Sequence, residues 1–356
     1  MARIRLQNVT KTFGQHTALA DFSLDVADGE FFVLLGPTGA GKTTTLRLIA
    51  GLEKLTSGNV FINEVDVADW GPAERDTALV LQQYSLYPRL TVRENLVFPL
   101  RSKVRNMSQA DIEARIAYAS TTLRIEHLLE RKTDKLSGGE MQRVSIGRAI
   151  VREPQVFLMD EPLSALDAKL REALRVELKE LQLRLKTTFI FVTHDQVEAM
   201  TMGDRIGILN RGRIIQVGTP SEIYNNPRDI FVAGFVGSPA INLLEGKIAA
   251  GKAVVTPHSF ELPIEASVGE GRYTFGIRPE DVRVESGAPV EAKVHDIENH
   301  GMEKILTMRV ANHLVRAGVP ARVNVAVEDT VRFGWNPGKV ILFDVKSGLN
   351  LGHKAA

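Results

Sequence analysis

Residues 36–43 bring glycines, a lysine and a hydroxyl side chain together at a spacing suited to holding a polyphosphate. They fit the pattern G-x-x-x-x-G-K-[ST] and read Gly36-Pro37-Thr38-Gly39-Ala40-Gly41-Lys42-Thr43. Because glycines lack a Cβ, backbone N–H groups can converge on an anion here. Lys42 can reach the β- and γ-phosphates, and the Thr43 hydroxyl, followed by Thr44, can ligate Mg²⁺. The sequence therefore predicts a site for ATP and Mg²⁺; the alternative is a glycine-rich structural turn.

Two adjacent carboxylates, Asp160 and Glu161, directly follow an apolar run at residues 156–159. In open α/β sheets, ligands collect at the carboxyl ends of such strands. Asp160 is therefore predicted to hold Mg²⁺, directly or through water. Glu161 is predicted to face the γ-phosphate and to polarise the attacking water. The alternative is an ordinary acidic pair on the surface.

A helix is predicted to begin at Ser137, in the segment Leu136-Ser137-Gly138-Gly139-Glu140-Met141-Gln142-Arg143. Ser137 followed three residues later by Glu140 is a capping box, which offers a purely structural interpretation. That interpretation does not explain Gly138 and Gly139, because glycines weaken a first helical turn. A second helix N-terminus facing a phosphate would explain them.

Buried strands are predicted directly before the chemically active residues. The short apolar runs at residues 31–35 and 189–193 precede the glycine loop and His194, respectively. Apolar residues at helical spacing follow at residues 44–50 and 169–186. His194 stands at a strand end, which favours a functional role over that of an ordinary surface histidine.

Two segments carry aromatic residues that the sequence leaves with two interpretations each. Phe13 precedes Gly14 in a predicted turn and either stacks on a purine or packs locally. The second segment reads Gln82-Gln83-Tyr84-Ser85-Leu86-Tyr87-Pro88. It either covers the local core or forms a surface for a partner.

Composition limits the classes of protein that this chain can belong to. It has 356 residues, of which 44% are hydrophobic, and a net charge of +1. The small charge gives no overall electrostatic reason to expect binding to nucleic acid or to an anionic membrane. The absence of cysteine excludes disulfides and thiolate metal sites. No apolar run is long enough to suggest a signal peptide or a membrane-spanning helix.

The chain length and a change of pattern predict two domains. Residues 84–152 have the periodicity of helices, within a first domain of residues 1–237. From about residue 238, short alternating segments separated by turn residues indicate an all-β barrel or sandwich over residues 238–356. The segments with this alternation are residues 282–285, 290–294, 305–310 and 340–343.

The order of these motifs resembles that of an ATP-binding cassette (ABC) ATPase. Three further segments resemble the maltose-importer class of bacterial sugar-uptake ATPases: residues 82–90, Gly237-Ser238-Pro239 with Asn242, and Gly276-Ile277-Arg278-Pro279-Glu280. The implied fold is an α/β P-loop NTPase, an ABC cassette with a helical subdomain, followed by an all-β OB-like (TOBE) domain. The implied function is the ATP-hydrolysing motor subunit of an importer for a carbohydrate-type solute.

The resemblance also implies roles for individual residues within one chain. Phe13 would stack on adenine, Gln82 would sense Mg²⁺ and the attacking water, and His194 would clamp the γ-phosphate. Other residues would act on the nucleotide of a second copy. Ser137, with Gly138 and Gly139, would contact its γ-phosphate, and Asp167, at the end of the motif Ser164-Ala165-Leu166-Asp167, would organise its glycine loop.

The partners implied by the resemblance are a second copy of the chain and two membrane permease subunits. The permeases would dock near residues 84–88 of this chain, which would lie at the cytoplasmic face of the bacterial inner membrane. A solute-binding protein outside the membrane would act indirectly. Nucleic acid is not expected as a partner. Three alternatives stay open: an importer of a non-sugar solute, a nucleic-acid-linked ABC ATPase, and a C-terminal barrel that binds an oligonucleotide or a small oxyanion.

Glu140 departs from this family pattern, in which glutamine is usual. A carboxylate near a phosphate is repelled, at a cost that falls with distance and solvent. We expect Glu140 to fold back on its own helix N-terminus, leaving the Ser137 hydroxyl to donate its proton to phosphate. Activity is then expected to survive.

Overall fold

The computed structural model describes residues 2–101, 107–164, 166–250, 252–256, 260–264 and 269–352. It divides into two compact units, Met1–Pro220 and Ser221–Ala356. The domain boundary predicted at residues 237/238 stays a prediction. Within the described residues, no helix combines the length and the apolar character needed to cross a bilayer.

The strands of the first unit form two sheets. They are β1 (Ile4–Phe13), β2 (His16–Val26), β3 (Phe31–Leu35), β4 (Ser57–Ile62), β5 (Val65–Asp66), β6 (Thr77–Val80), β7 (Val156–Asp160), β8 (Thr188–Thr193), β9 (Arg205–Asn210) and β10 (Arg213–Gly218). One sheet is antiparallel, with the order β2-β1-β4-β5, and the other has the order β10-β9-β3-β8-β7-β6.

The helices of the first unit are α1 (Lys42–Ile49), α2 (Val92–Val97), α3 (Gln109–Leu123), α4 (Gly138–Ile150), α5 (Ala168–Leu185) and α6 (Gln196–Met202). The helix-rich pattern predicted over residues 84–152 is confirmed by α2, α3 and α4. The helix predicted over residues 169–186 is α5, and its most deeply buried leucines are Leu174, Leu178 and Leu181.

Parallel pairing in the second sheet positions the candidate site. Strands β3, β7 and β8 are buried at every residue, as expected for parallel strands covered on both faces. β8 pairs in parallel with both β3 and β7, with Leu35 opposite Thr193 and Asp160 opposite Val192. The glycine loop, the Asp160-Glu161 pair and His194 therefore leave the sheet at the same edge.

The second unit is rich in β-structure, which confirms the predicted fold class. Helices α7 (Pro220–Asn225) and α8 (Ile230–Phe235) precede its strands. The strands are β11 (Asn242–Ala249), β12 (Lys252–Val255), β13 (Phe260–Pro263), β14 (Gly271–Ile277), β15 (Val282–Val284), β16 (Val290–Asn299), β17 (Glu303–Val310), β18 (His313–Pro320), β19 (Thr330–Trp335) and β20 (Ile341–Asp344). They form sheets ordered β13-β12-β11-β14-β20 and β15-β19-β16-β17-β18.

Strand β11 shows why only some of these strands could be recognised from alternation in the sequence. Its inward positions include Asn242 and Gly246 instead of two large apolar residues. Asn242 is buried because its amide donates to the carbonyl oxygens of Ile277 and Arg316. At Gly246, a Cβ would lie 2.7 Å from the ring of Phe275. Tertiary contacts therefore interrupt the alternation that identifies a strand.

Candidate functional site

The backbone of the glycine loop has the conformation that anion binding requires. Gly39 and Gly41 have φ angles of +79° and +110°, in the region that favours glycine. A Cβ on Gly41 would also lie 2.7 Å from the Leu19 side chain and 2.8 Å from the Ala18 carbonyl oxygen. Helix α1 begins after Gly41, and no side chain caps its N-terminus. The N–H groups of its first turn are therefore available to bind an anion.

Lys42 is held as a buried cation beside the loop, with 5% of its surface exposed. Its Nζ donates to the carbonyl oxygens of Gly36 at 2.9 Å and Pro37 at 3.1 Å. The same nitrogen lies 3.4 Å from Oε1 of Glu161. The ammonium group is therefore oriented before any phosphate arrives, which lowers the entropic cost of binding one.

Thr43 and Asp160 form a pair of oxygen donors suited to Mg²⁺. The Thr43 hydroxyl donates to Oδ1 of Asp160 at 2.9 Å. Burial raises the pKa of Asp160; the bond from Thr43 opposes that rise and the charge of Glu161 adds to it. Mg²⁺ prefers oxygen ligands and commonly takes one or two from protein and the rest from phosphate and water. Within the described residues, no cluster of three or more acidic or histidine side chains offers a complete metal site.

Glu161 contacts both of the other groups predicted to handle the γ-phosphate. Its Oε1 faces Lys42, and its Oε2 lies 2.9 Å from Nδ1 of His194. Glu161 has a φ angle of +45°, which is unusual for a residue with a Cβ and is characteristic of functional sites. Its N–H donates to the Val192 carbonyl oxygen, which ties this strained residue to strand β8.

A cavity of about 500 Å³ connects these groups with two of the residues that were predicted from resemblance. Its volume is in the range of small-molecule sites. Phe13 and Gln82 both line it, and the Gln82 amide donates to the Ser164 hydroxyl at 3.2 Å. The full lining is Phe13, His16, Ala18, Thr38, Gly39, Gly41, Lys42, Thr43, Thr44, Gln82, Glu161 and His194.

His16 and Ala18 line the cavity without having been predicted from the sequence. His16 pairs with Phe13 across the hairpin of β1 and β2. The position of His16 could have been predicted from the tight turn at Gly14, since a turn of two residues sets the start of the next strand directly opposite Phe13.

Ser137, Gly138, Gly139 and Asp167 do not line this cavity. The first three begin helix α4, and Asp167 caps α5 by accepting the Leu170 N–H at 3.0 Å. Ala165, in the same motif as Asp167, lies outside the described residues.

Packing accounts for one of the two glycines that the capping box left unexplained. A Cβ on Gly139 would lie 2.0 Å from Cδ2 of Leu170, so the Leu170 side chain on α5 would have to move to make room for one. A Cβ on Gly138 would make only an ordinary 3.4 Å contact with the Tyr84 hydroxyl. Gly138 is therefore the glycine for which approach by another molecule stays the better explanation.

Glu140 folds back on the N-terminus of α4, as predicted. Its Oε2 accepts the Ser137 N–H at 2.7 Å, and its other oxygen lies 3.5 Å from Arg131. The bond from the Ser137 backbone is the main cause of a lowered pKa for Glu140, so the group is a carboxylate at neutral pH. The Ser137 hydroxyl donates to Oε2 of Glu140 at 2.8 Å, so it would have to exchange this bond for one to a phosphate. The expectation that it donates to phosphate stays a prediction.

Comparison with known families gives three matches along the chain. Residues 19–164 match the family described as ABC transporter, residues 237–282 match the MalK OB fold domain, and residues 275–343 match the TOBE domain.

Two relatives match nearly the whole chain. The trehalose/maltose import ATP-binding protein MalK of Thermococcus litoralis is 46% identical, over 98% of this chain and 99% of its own length. The sn-glycerol-3-phosphate import ATP-binding protein UgpC of Brucella abortus is 46% identical, over 96% and 97%.

Solved structures match the first part of the chain. The dimeric structure of a bacterial ABC transporter cassette has a TM-score of 0.56 and 34% identity, covering 61% of this chain and 98% of its own. An ABC transporter cassette in its ADP conformation has a TM-score of 0.56 and 27% identity, covering 64% and 96%.

Replacing Glu140 with glutamine tests whether its carboxylate slows turnover. We expect the ATPase rate of E140Q to stay within about fivefold of the wild type, since partly exposed charges contribute about 1 kcal/mol or less. Thr91 and Glu94 form an equivalent capping box at the start of α2, so E94Q is the matched control. A many-fold rise in E140Q alone would contradict this expectation and identify Glu140 as a brake on the Ser137 hydroxyl.

Proposed function

Because this chain belongs to the ABC transporter family as an ATP-hydrolysing import subunit, we propose that it drives uptake of a carbohydrate-type solute from a site shared between two copies. Two relatives are named for import of trehalose or maltose and of sn-glycerol-3-phosphate, and a third, from Agrobacterium fabrum, for transport of sulfoquinovosyl glycerol. These names support a sugar, a sugar derivative, a polyol or a glycerol phosphate as the solute.

The arrangement of Lys42, Glu161 and His194 at one edge of the sheet is the observation that carries this proposal. Lys42 and the α1 N-terminus would bind the β- and γ-phosphates. Thr43, Asp160 and Gln82 would hold Mg²⁺, which when bound neutralises phosphate charge. Phe13, at the open side of the cavity, would stack on the adenine.

Hydrolysis requires a water molecule placed in line with the bond that breaks. Glu161 would accept a hydrogen bond from this water. As the water oxygen bonds to the γ-phosphorus, the bond from that phosphorus to the β–γ bridging oxygen breaks. His194 would hold the γ-phosphate oxygens. ADP and inorganic phosphate are the products, and the proton from water passes to the carboxylate or to the phosphate.

The second half of each site would come from another copy of the chain. Ser137 and Gly138, at the start of α4, do not line the cavity that contains Lys42. The exposed Asp167, at the start of α5, does not line it either. In a head-to-tail pair, these residues would face the nucleotide of the partner. ATP would then join the two copies, and loss of the γ-phosphate would release them.

A groove of about 530 Å³ lies near residues 84–88. In the proposed pair of copies, the groove of each copy would contact one of the two membrane permease subunits. The rings of Tyr87 and Phe98 lie 4.3 Å apart at this groove, and Phe98 is 54% exposed. The Arg148 guanidinium lies 4.6 Å from the Tyr87 ring centroid. An apolar floor with a cation at one side suits an amphipathic helix from the permease. The chain would then lie at the cytoplasmic face of the membrane, with a solute-binding protein outside.

Replacing the proposed base tests the hydrolytic part of the proposal. E161Q is expected to lower the ATPase rate by roughly 10²–10⁴-fold because it removes the base that polarises water. ATP binding should persist, so this variant should form an ATP-dependent dimer in size-exclusion chromatography. E172Q, on the exposed side of α5, is the control. Normal hydrolysis by E161Q would show that another group is the base.

Replacing Phe98 tests the groove. F98S should leave the ATPase rate of the isolated chain unchanged, because Phe98 lies outside the nucleotide cavity. It should abolish the change in rate that reconstitution with the two permease subunits produces. Val176 is 57% exposed on α5, so V176S is the matched control. Full coupling of F98S to the permeases would remove the groove from the proposal.

A further inference from the structure

Arg171 lies between two segments of the proposed site and holds both of them. One, called the turn below, comprises residues 161–164 and 166–167, and the other begins at His194 and Asp195. We infer that Arg171 is a positioning residue that couples the two nucleotide sites of the dimer. This inference rests on the proposed function, since it requires that His194 and Asp167 act on different nucleotides.

On one side, Arg171 holds the turn by its backbone carbonyls. Its Nη2 donates to the carbonyl oxygens of Leu166 at 3.1 Å and Ser164 at 3.4 Å. The Ser164 hydroxyl in turn donates to the Glu161 carbonyl oxygen at 2.9 Å and receives the Gln82 amide. The turn that leads to Asp167 is therefore connected with two residues that line the cavity.

On the other side, Arg171 holds the start of helix α6. Its Nη1 donates to Oδ2 of Asp195 at 3.3 Å. The second oxygen of Asp195 caps α6 by accepting the N–H groups of Val197 at 2.7 Å and Glu198 at 3.1 Å. Because His194 directly precedes Asp195, a movement of His194 toward a γ-phosphate would be transmitted to this carboxylate.

A second carboxylate, that of Glu198, lies beside the Arg171 guanidinium. Its Nε is buried without a hydrogen-bond partner among the described residues, and it lies 4.0 Å from Oε1 of Glu198. Glu198 is 2% exposed, and its other oxygen accepts the Thr193 hydroxyl. In the proposed dimer, a small shift of the guanidinium would bring Nε into hydrogen-bonding distance of Glu198 while Nη1 leaves Asp195, which would give the contact two arrangements. Coupling between sites requires such a two-state element.

The consequence is communication between the sites. When His194 leaves Glu161 for the γ-phosphate, Asp195 shifts and Arg171 follows, which moves the carbonyls of the turn that ends at Asp167. Asp167 then changes the glycine loop of the partner. By thermodynamic reciprocity, the partner's nucleotide acts back on His194 through the same contact.

The test compares the dependence of ATPase rate on ATP concentration for the full-length chain and its variants. The wild type is expected to show a Hill coefficient above 1, with an upper limit near 2 set by its two sites. In R171M this coefficient should fall to about 1, while KM changes by less than about threefold because Arg171 touches no nucleotide. R171K should resemble R171M, since one ammonium cannot hold both segments. A Hill coefficient unchanged in R171M, or near 1 in the wild type, would overturn the inference.

A control and a second variant separate coupling from stability. Lys179 lies on the same helix and pairs with Asp204 at 2.7 Å, so K179M should keep the wild-type coefficient. D195N retains one oxygen for the α6 cap and loses the acceptor for Arg171. It should also lower the coefficient, and adding R171M should lower it no further. If R171M unfolds, D195N decides: an unchanged coefficient in D195N overturns the inference.

Dimerisation distinguishes failure of the inference from failure of the proposed function. The double variant of E161Q and R171M should still form the ATP-dependent dimer. If E161Q alone forms no such dimer, the proposed function fails and this inference fails with it. If E161Q dimerises and the coefficient is unaffected by R171M and D195N, only the coupling role is wrong.

Discussion

Parallel pairing of β8 with both β3 and β7 is the constraint on which the rest of this site depends. It brings the ends of three buried strands to one edge. Glu161 therefore lies within ion-pair or hydrogen-bonding distance of both Lys42 and His194, although Lys42 is 119 positions away in the chain. Burying Lys42 is tolerated because two loop carbonyl oxygens accept hydrogen bonds from its Nζ and the Glu161 carboxylate balances its charge. These contacts give the site its geometry before a nucleotide binds, and the γ-phosphate must compete with Glu161 for both Lys42 and His194.

Most of the site could be predicted from the sequence because its chemistry is local. The glycine loop is confirmed as a strand–loop–helix turn, and Asp160 ends a strand that is buried throughout. Strands β3, β7 and β8 were found because parallel strands covered on both faces are continuous apolar runs. The roles of Phe13, Gln82 and Asp167 came from resemblance to a family and stay proposals, although Phe13 and Gln82 line the predicted cavity.

The parts that could not be predicted depend on contacts between distant residues. Gly139 packs against Leu170, which is thirty-one positions away and belongs to another helix. The Ser137 hydroxyl could have faced solvent or Glu140, and only the structure shows that it donates a hydrogen bond to Glu140. Strand β11 was missed because Asn242 and Gly246 replace apolar residues where neighbouring strands supply the packing.

The central claim is that each hydrolytic site needs residues from two copies of the chain, since the groups at the start of α4 and at Asp167 lie outside the cavity that contains Lys42. The most direct measurement is the ATPase rate per chain as the purified protein is diluted through the concentration at which its dimer dissociates, at saturating ATP. The account predicts that this specific rate falls steeply together with the dimer fraction. A specific rate that stays constant down to isolated single chains would contradict it.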